Sequence, residues 1–372
     1  MTKITWPQAL AWRMRRQLLD PLGRLSVPGV VSRLGGVQAQ VASSADLAIR
    51  LRRLTPRRGE VQRALSEGRL IKTWAMRGAL HLLTAEEAGT FLSLLAAGRS
   101  WELPSWERYF GMTRKHWDLL RPAVREALDG TMLTREELVA AITARRGLAH
   151  VGDGLRSGWG TLLKPLAWQG DLCFGPSRGS RVTFIRPEAA SSRWAGIPDA
   201  DDAAPAAIRT YVGAYGPATM DGFSNWISRG RIPRKRLRAW FGALGGHLVE
   251  VEVDGERAYV LAEHLDEVAS ARPTAAVRLL GGFDPYVLGP GTEDARVVPA
   301  ARRWAVSRQS GWIAPIVVAR GVVSGTWDLD GDRAQIAWFR EAGRPPRKAL
   351  EEQAARLSSV LDRGVRAVIG LT

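Results

Sequence analysis

Two glutamines, Gln38 and Gln40, stand two residues apart in the run Gly35-Gly36-Val37-Gln38-Ala39-Gln40. On an extended segment that spacing puts both side chains on one face. On a helix they point apart, so convergence needs an extended or irregular stretch, or a helix end. A glutamine amide is no general base near neutral pH, but it accepts from and donates to a water molecule and so fixes its position. On spacing alone the pair reads as ordinary partners of backbone hydrogen bonds at a helix end. A second constellation is Arg302, Arg303, Arg308 and Gln309, set around an expected hairpin between Trp304 and Trp312. A basic, glutamine-tipped hairpin either enters a minor groove and contacts phosphates or stands as an exposed basic turn.

Little else in the chain assembles a chemical motif. No nucleophile elbow, P-loop or dinucleotide fingerprint is present. Gly281-Gly282 and Gly289-Pro290-Gly291 lack phosphate-loop spacing and read as turns. Asp328, Asp330 and Asp332 lack the downstream glutamate of a calcium loop and read as a solvated hairpin turn. Cys173 is the one cysteine, which rules out an intramolecular disulfide and a cysteine-rich zinc site. His81, His116, His150, His247 and His264 are scattered. No metal and no cofactor are expected.

The net charge of +16 on 372 residues favours a polyanion as partner, nucleic acid first and an anionic membrane surface second. GC-rich coding is the competing source of this arginine excess, since Lys occurs only at 3, 72, 115, 164, 235 and 348. With 45% hydrophobic and 24% charged residues a packed core is feasible and wholesale disorder is excluded. The N-terminal residues carry no apolar signal segment and no run is long enough to span a bilayer. The chain is expected to be soluble, monomeric and cytoplasmic, at the nucleoid.

The elements that must carry these residues repeat one order, helices followed by a hairpin. In the first copy, Trp6–Leu19, Pro28–Leu34, Ala45–Leu54 and Gly59–Ser66 read as helices, and Leu70–Trp74 with Ala79–Leu83 as a hairpin turning at Arg77-Gly78. The second follows the Trp-rich connector Trp101–Phe110. Its helices are Trp117–Leu128, one starting at Thr134, and Leu155–Trp168, before strands at Leu172–Phe174 and Val182–Phe184. The third runs Ala204–Tyr215, Thr219–Trp226 and the basic Pro233–Phe241, then two strands flanking Asp254-Gly255, a strong hairpin cue. From Pro273 the pattern turns to strands, at Val277–Leu280, Trp312–Val318, Val322–Leu329 and Ile336–Phe339, closed by a helix over Arg347–Leu361. The expected fold is α+β. Three tandem winged-helix units occupy 1–100, 101–195 (with the connector) and 196–268, and a small C-terminal antiparallel β-barrel with its closing helix occupies 269–372. Most of the fifteen Trp residues, Trp101 and Trp106 among the examples, read as core rather than base-stacking platforms.

Three stretches carry a resemblance. Gly35–Gln40 matches a Gln-x-Gln motif, and Thr73-Trp74-Ala75-Met76-Arg77-Gly78-Ala79-Leu80-His81-Leu82 is close to a Met-Arg-Gly-Thr-Leu-His pattern. Tyr215-Gly216-Pro217-Ala218-Thr219, Phe283-Asp284-Pro285-Tyr286 and Gly311-Trp312-Ile313-Ala314-Pro315 complete the ordered set. Together they resemble the AlkZ-type winged-helix DNA glycosylases over most of the chain. The resemblance implies three winged helices and a C-terminal β-barrel, and a monofunctional N-glycosylase for N7-alkylated purines in double-stranded DNA. It implies that Gln38 and Gln40 are catalytic, and that a hairpin of the last domain approaches the groove. Relatives with Asp at the second position have a carboxylate there; Gln40 suits a leaving group that is already cationic. At its narrowest the resemblance implies unhooking of azinomycin-type interstrand crosslinks, as self-resistance in a producer. A non-catalytic winged-helix regulator and a damage-binding scaffold are the alternatives from other classes.

Overall fold

The computed structural model describes residues 1–372. Its strands are, in chain order, β1 (Thr2–Ile4), β2 (Val37–Gln38), β3 (Leu70–Trp74), β4 (Leu80–Thr84), β5 (Leu133–Thr134), β6 (Cys173–Arg178) and β7 (Arg181–Ile185). They continue as β8 (Leu248–Val253), β9 (Glu256–Leu261), β10 (Val277–Leu280), β11 (Ile316–Ala319), β12 (Val322–Asp330), β13 (Arg333–Trp338) and β14 (Arg366–Leu371). Helices connect them throughout, so the chain is α+β, and none is long and apolar enough to cross a membrane.

Local sequence sets many of these boundaries. Thr134 caps the Arg135–Thr143 helix in a reciprocal box with Glu137, satisfying backbone donors that the first turn leaves open. Asp254 (φ 45°) and Gly255 (φ 88°) both take left-handed backbone, the turn whose twist matches paired strands, and β8 and β9 zip outward from it. The Leu155–Trp168 stretch departs from expectation. It breaks into Gly152–Arg156 and Leu163–Trp168. Between them Gly160 (φ 64°) lies against the indole of Trp74, where a Cβ would come within 2.3 Å.

Two hairpins expected to be separate wings share one sheet, ordered β2-β4-β3-β6-β7-β5. β3 and β6 meet at Lys72 and Phe174, and Trp74, Phe174 and Phe184 pack together across the join. The N-terminal segment also departs from its expected unit, residues 1–100. β1 pairs in parallel with β8, and the Trp6–Arg16 helix packs against the Ala200–Tyr215 and Leu265–Ala269 helices. Ile4, Ala9 and Trp12 are buried with Val251, Val253 and Val260, so the first helix packs with the β8–β9 hairpin.

The C-terminal strands form an open sheet, β10-β11-β12-β13-β14, with β14 parallel to β13 and no pairing between β10 and β14. The expected closed barrel is not formed. The Arg347–Leu361 helix packs against both edge strands and buries Leu350, Leu357 and Val360 in the sheet's core. Its apolar face provides the burial that ring closure would otherwise supply.

Candidate active site

The Val27–Arg33 helix ends by placing Gly35 (φ 65°) and Gly36 (φ 109°) in left-handed backbone. Gly36 N–H donates to Val31 O and Gly35 N–H to Ser32 O, a helix stop that satisfies two orphan carbonyls. Gly36 also has no room for a side chain, since a Cβ would lie 2.7 Å from Leu83 and 2.9 Å from Met76. The chain leaves this turn extended. Val37 and Ala39 enter the core at 0% and 2% exposure, while Gln38 is half-buried and Gln40 exposed. Gln38 therefore ends the short extended strand β2, and Gln40 stands two residues on, at a bend before the next helix. Neither amide side chain hydrogen-bonds within the protein, so both are free for water or substrate.

Two of the resembling stretches meet here. Gln38 lies opposite His81 on β4, and Ala39 N–H donates to Leu80 O at 2.7 Å. Gln38 and His81 thus occupy a non-hydrogen-bonded position, where opposed Cα atoms are about 4.5 Å apart and side chains are closest. His81 is buried, with Nδ1 3.0 Å from Ala79 O. Burial pushes its imidazole down to about 3, so the ring is neutral near pH 7. A carbonyl only accepts, so Nδ1 carries the proton and Nε2 is left as an acceptor. Thr73 lies opposite His81 on the other side, buried, with Oγ1 unpartnered. Gln38, His81 and Thr73 form a polar row across three strands.

The third stretch acts as a clamp. Asp284 receives both arms of Arg52, at 2.7 and 2.8 Å, and both side chains are fully buried. Arg52 also reaches Gln17 Oε1 at 3.3 Å, and Tyr286 N–H donates to Asp284 at 2.8 Å. Tyr215 O–H donates to Leu34 O at 2.8 Å, immediately before the glycine turn. The Arg52–Asp284 pair thus ties the end of the Ala42–Leu51 helix to the C-terminal domain, and Tyr215 ties the turn before the glutamines to the Ala200–Tyr215 helix.

The expected DNA-facing hairpin is smaller than foreseen. Arg302 and Arg303 lie in the helical turns Ala300–Arg302 and Arg303–Val306, because Pro299 caps a helical stretch. Arg302 is committed to Glu341 (2.6 and 2.9 Å) and Thr372 O (2.8 Å), and this pairing holds the Glu341 carboxyl well below the usual range. Arg303 pairs with Glu293 at 2.8 Å but stays exposed. Arg308 and Gln309 form the projecting turn, closed by Arg308 N–H donating to Trp312 O at 2.8 Å. Arg308 approaches Asp328 at 3.6 Å, and Gln309 is exposed. Trp304 and Trp312, at 71% and 46% exposure, flank it, whereas Trp101 is core and Trp106 packs partly buried beside it. Trp312 meets Phe283 edge-on, tying the turn to the clamp.

A cleft of about 1180 Å³ opens between the first hairpin, the second wing and the C-terminal sheet, lined among others by Ala39, Ser43, Lys72, Phe174 and Trp327. No three His, Cys, Asp or Glu side chains stand close enough to hold a metal ion. Burial pushes the Cys173 thiol up to about 12, which removes it as a nucleophile near neutrality. Sequence distance hid Lys164. The fold brings its Nζ within 3.8 Å of where a Gly78 Cβ would stand, in the turn leading to His81.

A strongly basic α+β chain whose Gln38 and Gln40 amides have no internal partner is compatible with an enzyme acting on DNA. The chain belongs to the AlkZ-like family, whose model, described as DNA glycosylase AlkZ-like, matches residues 31–360. It is 47% identical over 357 residues to the interstrand DNA cross-link repair glycosylase of Streptomyces sahachiroi, covering 96% of each chain. Its structure resembles that of Streptomyces sahachiroi DNA glycosylase AlkZ with a TM-score of 0.95 and 46% identity, over 98% of this chain and 100% of that one.

Proposed function

We propose that the protein hydrolyses the glycosidic bond of N7-alkylated purines in duplex DNA and unhooks interstrand crosslinks of the azinomycin type, acting as a monomer through Gln38 and Gln40. The observation that carries this reading is the pair of amides two residues apart, one half-buried at the end of β2 and one exposed at the bend that follows, with no internal partner. Alkylation at N7 makes the purine cationic, so the C1′–N9 bond is weak before the enzyme acts. That bond's electrons leave with the base, which departs neutral, while water forms the new C1′–O bond and releases its proton to solvent. Gln38 and Gln40 hold that water by accepting from it, and their amide dipoles favour the oxocarbenium character at C1′. Strong base catalysis is not required for so good a leaving group.

The helix-and-hairpin order favours three winged-helix units, at 1–100, 101–195 and 196–268, ahead of the C-terminal sheet domain at 269–372. The N-terminal strand and helix are lent to the third unit. Arg308 and Gln309, with Arg303 nearby, contact the DNA backbone and minor groove. Incubating the protein with a duplex bearing one N7-methylguanine, and with a crosslinked duplex, tests the reading. Free 7-methylguanine and separation of the strands on a denaturing gel are expected. Tight binding without base release would instead identify a damage-binding protein.

A further inference from the structure

Lys164, Arg77 and Arg229 converge from three parts of the fold on the turn between β3 and β4. Lys164 lies on the Leu163–Trp168 helix, with Cδ 3.6 Å and Nζ 3.8 Å from the position of a Gly78 Cβ. Arg77 occupies the turn itself in left-handed backbone (φ 57°), with Nη1 donating to Leu288 O at 2.8 Å. Arg229 ends the Met220–Ser228 helix, which packs directly on that turn, and its side chain is exposed. None of the three has a carboxylate partner, although Arg121, Arg125, Arg145 and Arg178 all do. The Lys164 ammonium makes no hydrogen bond within the protein, and the residue is half-buried. Its ammonium is held below the usual lysine range first by lost hydration and then by repulsion from Arg229, which also opposes the charge on Arg77. A cluster of like charges left unneutralised favours binding of an anion.

We infer that Lys164 and Arg229, backed by Arg77, bind one backbone phosphate of the damaged DNA strand and so register the lesion against Gln38. The turn lies about 10 Å along the strand from His81, three residues on, a distance that a short stretch of sugar–phosphate backbone bridges. A fixed phosphate carries no sequence information but sets position, which a glycosylase acting at one C1′ atom requires. Lys164 is then a positioning residue, acting through the placement of the substrate. The inference rests on the glycosylase reading above.

Duplexes bearing one N7-methylguanine, each with a single neutral methylphosphonate at a different nearby position, test it, with released 7-methylguanine measured by mass spectrometry. The parent is expected to slow about 10-fold at one or two positions in the damaged strand. Lys164→Gln is expected to slow comparably on the all-phosphate duplex and to show no further loss at those positions. Lys164→Arg, which keeps the charge, restores both the rate and the sensitivity. Arg229→Gln, an exposed change that leaves the core intact, should weaken the same positional dependence. Multiplicative losses in Lys164→Gln, or a parent rate in that variant, overturn the inference and leave the glycosylase reading standing. No base release by the parent from the all-phosphate duplex overturns both.

Discussion

Gln38 and Gln40 differ in setting, and that difference shapes what their loss does. Both flank the buried Ala39, with Val37 buried before them, and neither side chain is fully buried, so truncating either spares the core. Gln38→Ala and Gln40→Ala should each slow release of 7-methylguanine by about 100-fold with unfolding midpoints unchanged. Some residual rate should persist because the leaving group is cationic. Gln40→Asp should retain substantial activity, since a carboxylate at that exposed position still holds water. His81 predicts a pH effect on stability rather than on chemistry. Its folded pKa of about 3 lies below the ordinary 6.5, so the unfolded chain takes up a proton first as pH falls. Its contribution is complete above 6.5 and is lost through the window from 6.5 down to about 3. Urea unfolding near neutrality and at about pH 5 should show an acid loss that is smaller in His81→Gln. Equal losses in both proteins would show that other groups carry the acid sensitivity.

At the scale of elements, the helix stop and the buried clamp are the positions where one substitution should propagate. Gly36→Ala forces a Cβ against Leu83 and Met76 at a backbone angle that L-residues rarely adopt. It should cost more than about 1 kcal/mol and also slow base release, because the strand carrying Gln38 starts there. Asp284→Ala leaves the Arg52 guanidinium buried and unpaired, a change that typically costs about 3–5 kcal/mol. Replacing both partners by apolar residues of similar volume should recover much of that loss. Denaturant melts of the single and double variants read the difference directly. A single variant as stable as the parent would mean that the junction of the first helices with the C-terminal sheet tolerates an open charge.

For the whole molecule, the charge of +16 predicts that DNA affinity falls steeply with salt as condensed counterions cease to drive binding. A fluorescent duplex titrated across ionic strength measures the slope, and a flat response would remove the phosphate backbone as the main source of affinity. Base release should be unchanged by excess chelator, since no metal-ligating cluster is assembled. Activity lost to chelator and restored by zinc or magnesium would require a metal that these side chains do not predict. The projecting Arg308 and Gln309 should matter through binding. Their double replacement by Ala should lower affinity and excision while the melting transition stays put.

Short-range physics was legible in the residues themselves. The Asp254-Gly255 turn, the Thr134 cap, the extended Leu70–Trp74 run and the Arg347–Leu361 helix follow from neighbours a few positions apart, which is the range over which capping and alternation act. The net charge, and with it the preference for a polyanion, is a sum over residues and needs no fold. Gln38 and Gln40 could be singled out by motif, yet the setting of Gln38 opposite His81 depends on a strand register set by Gly36 and the core. The sequence could not show that Arg52 and Asp284, 232 residues apart, are buried together, because an arginine in a basic chain looks the same paired or exposed. Nor could it show that β1 joins β8, that the C-terminal sheet stays open, or that Lys164 reaches the turn beside His81. Those are long-range pairings, decided by which surfaces remain to be buried once the local elements exist.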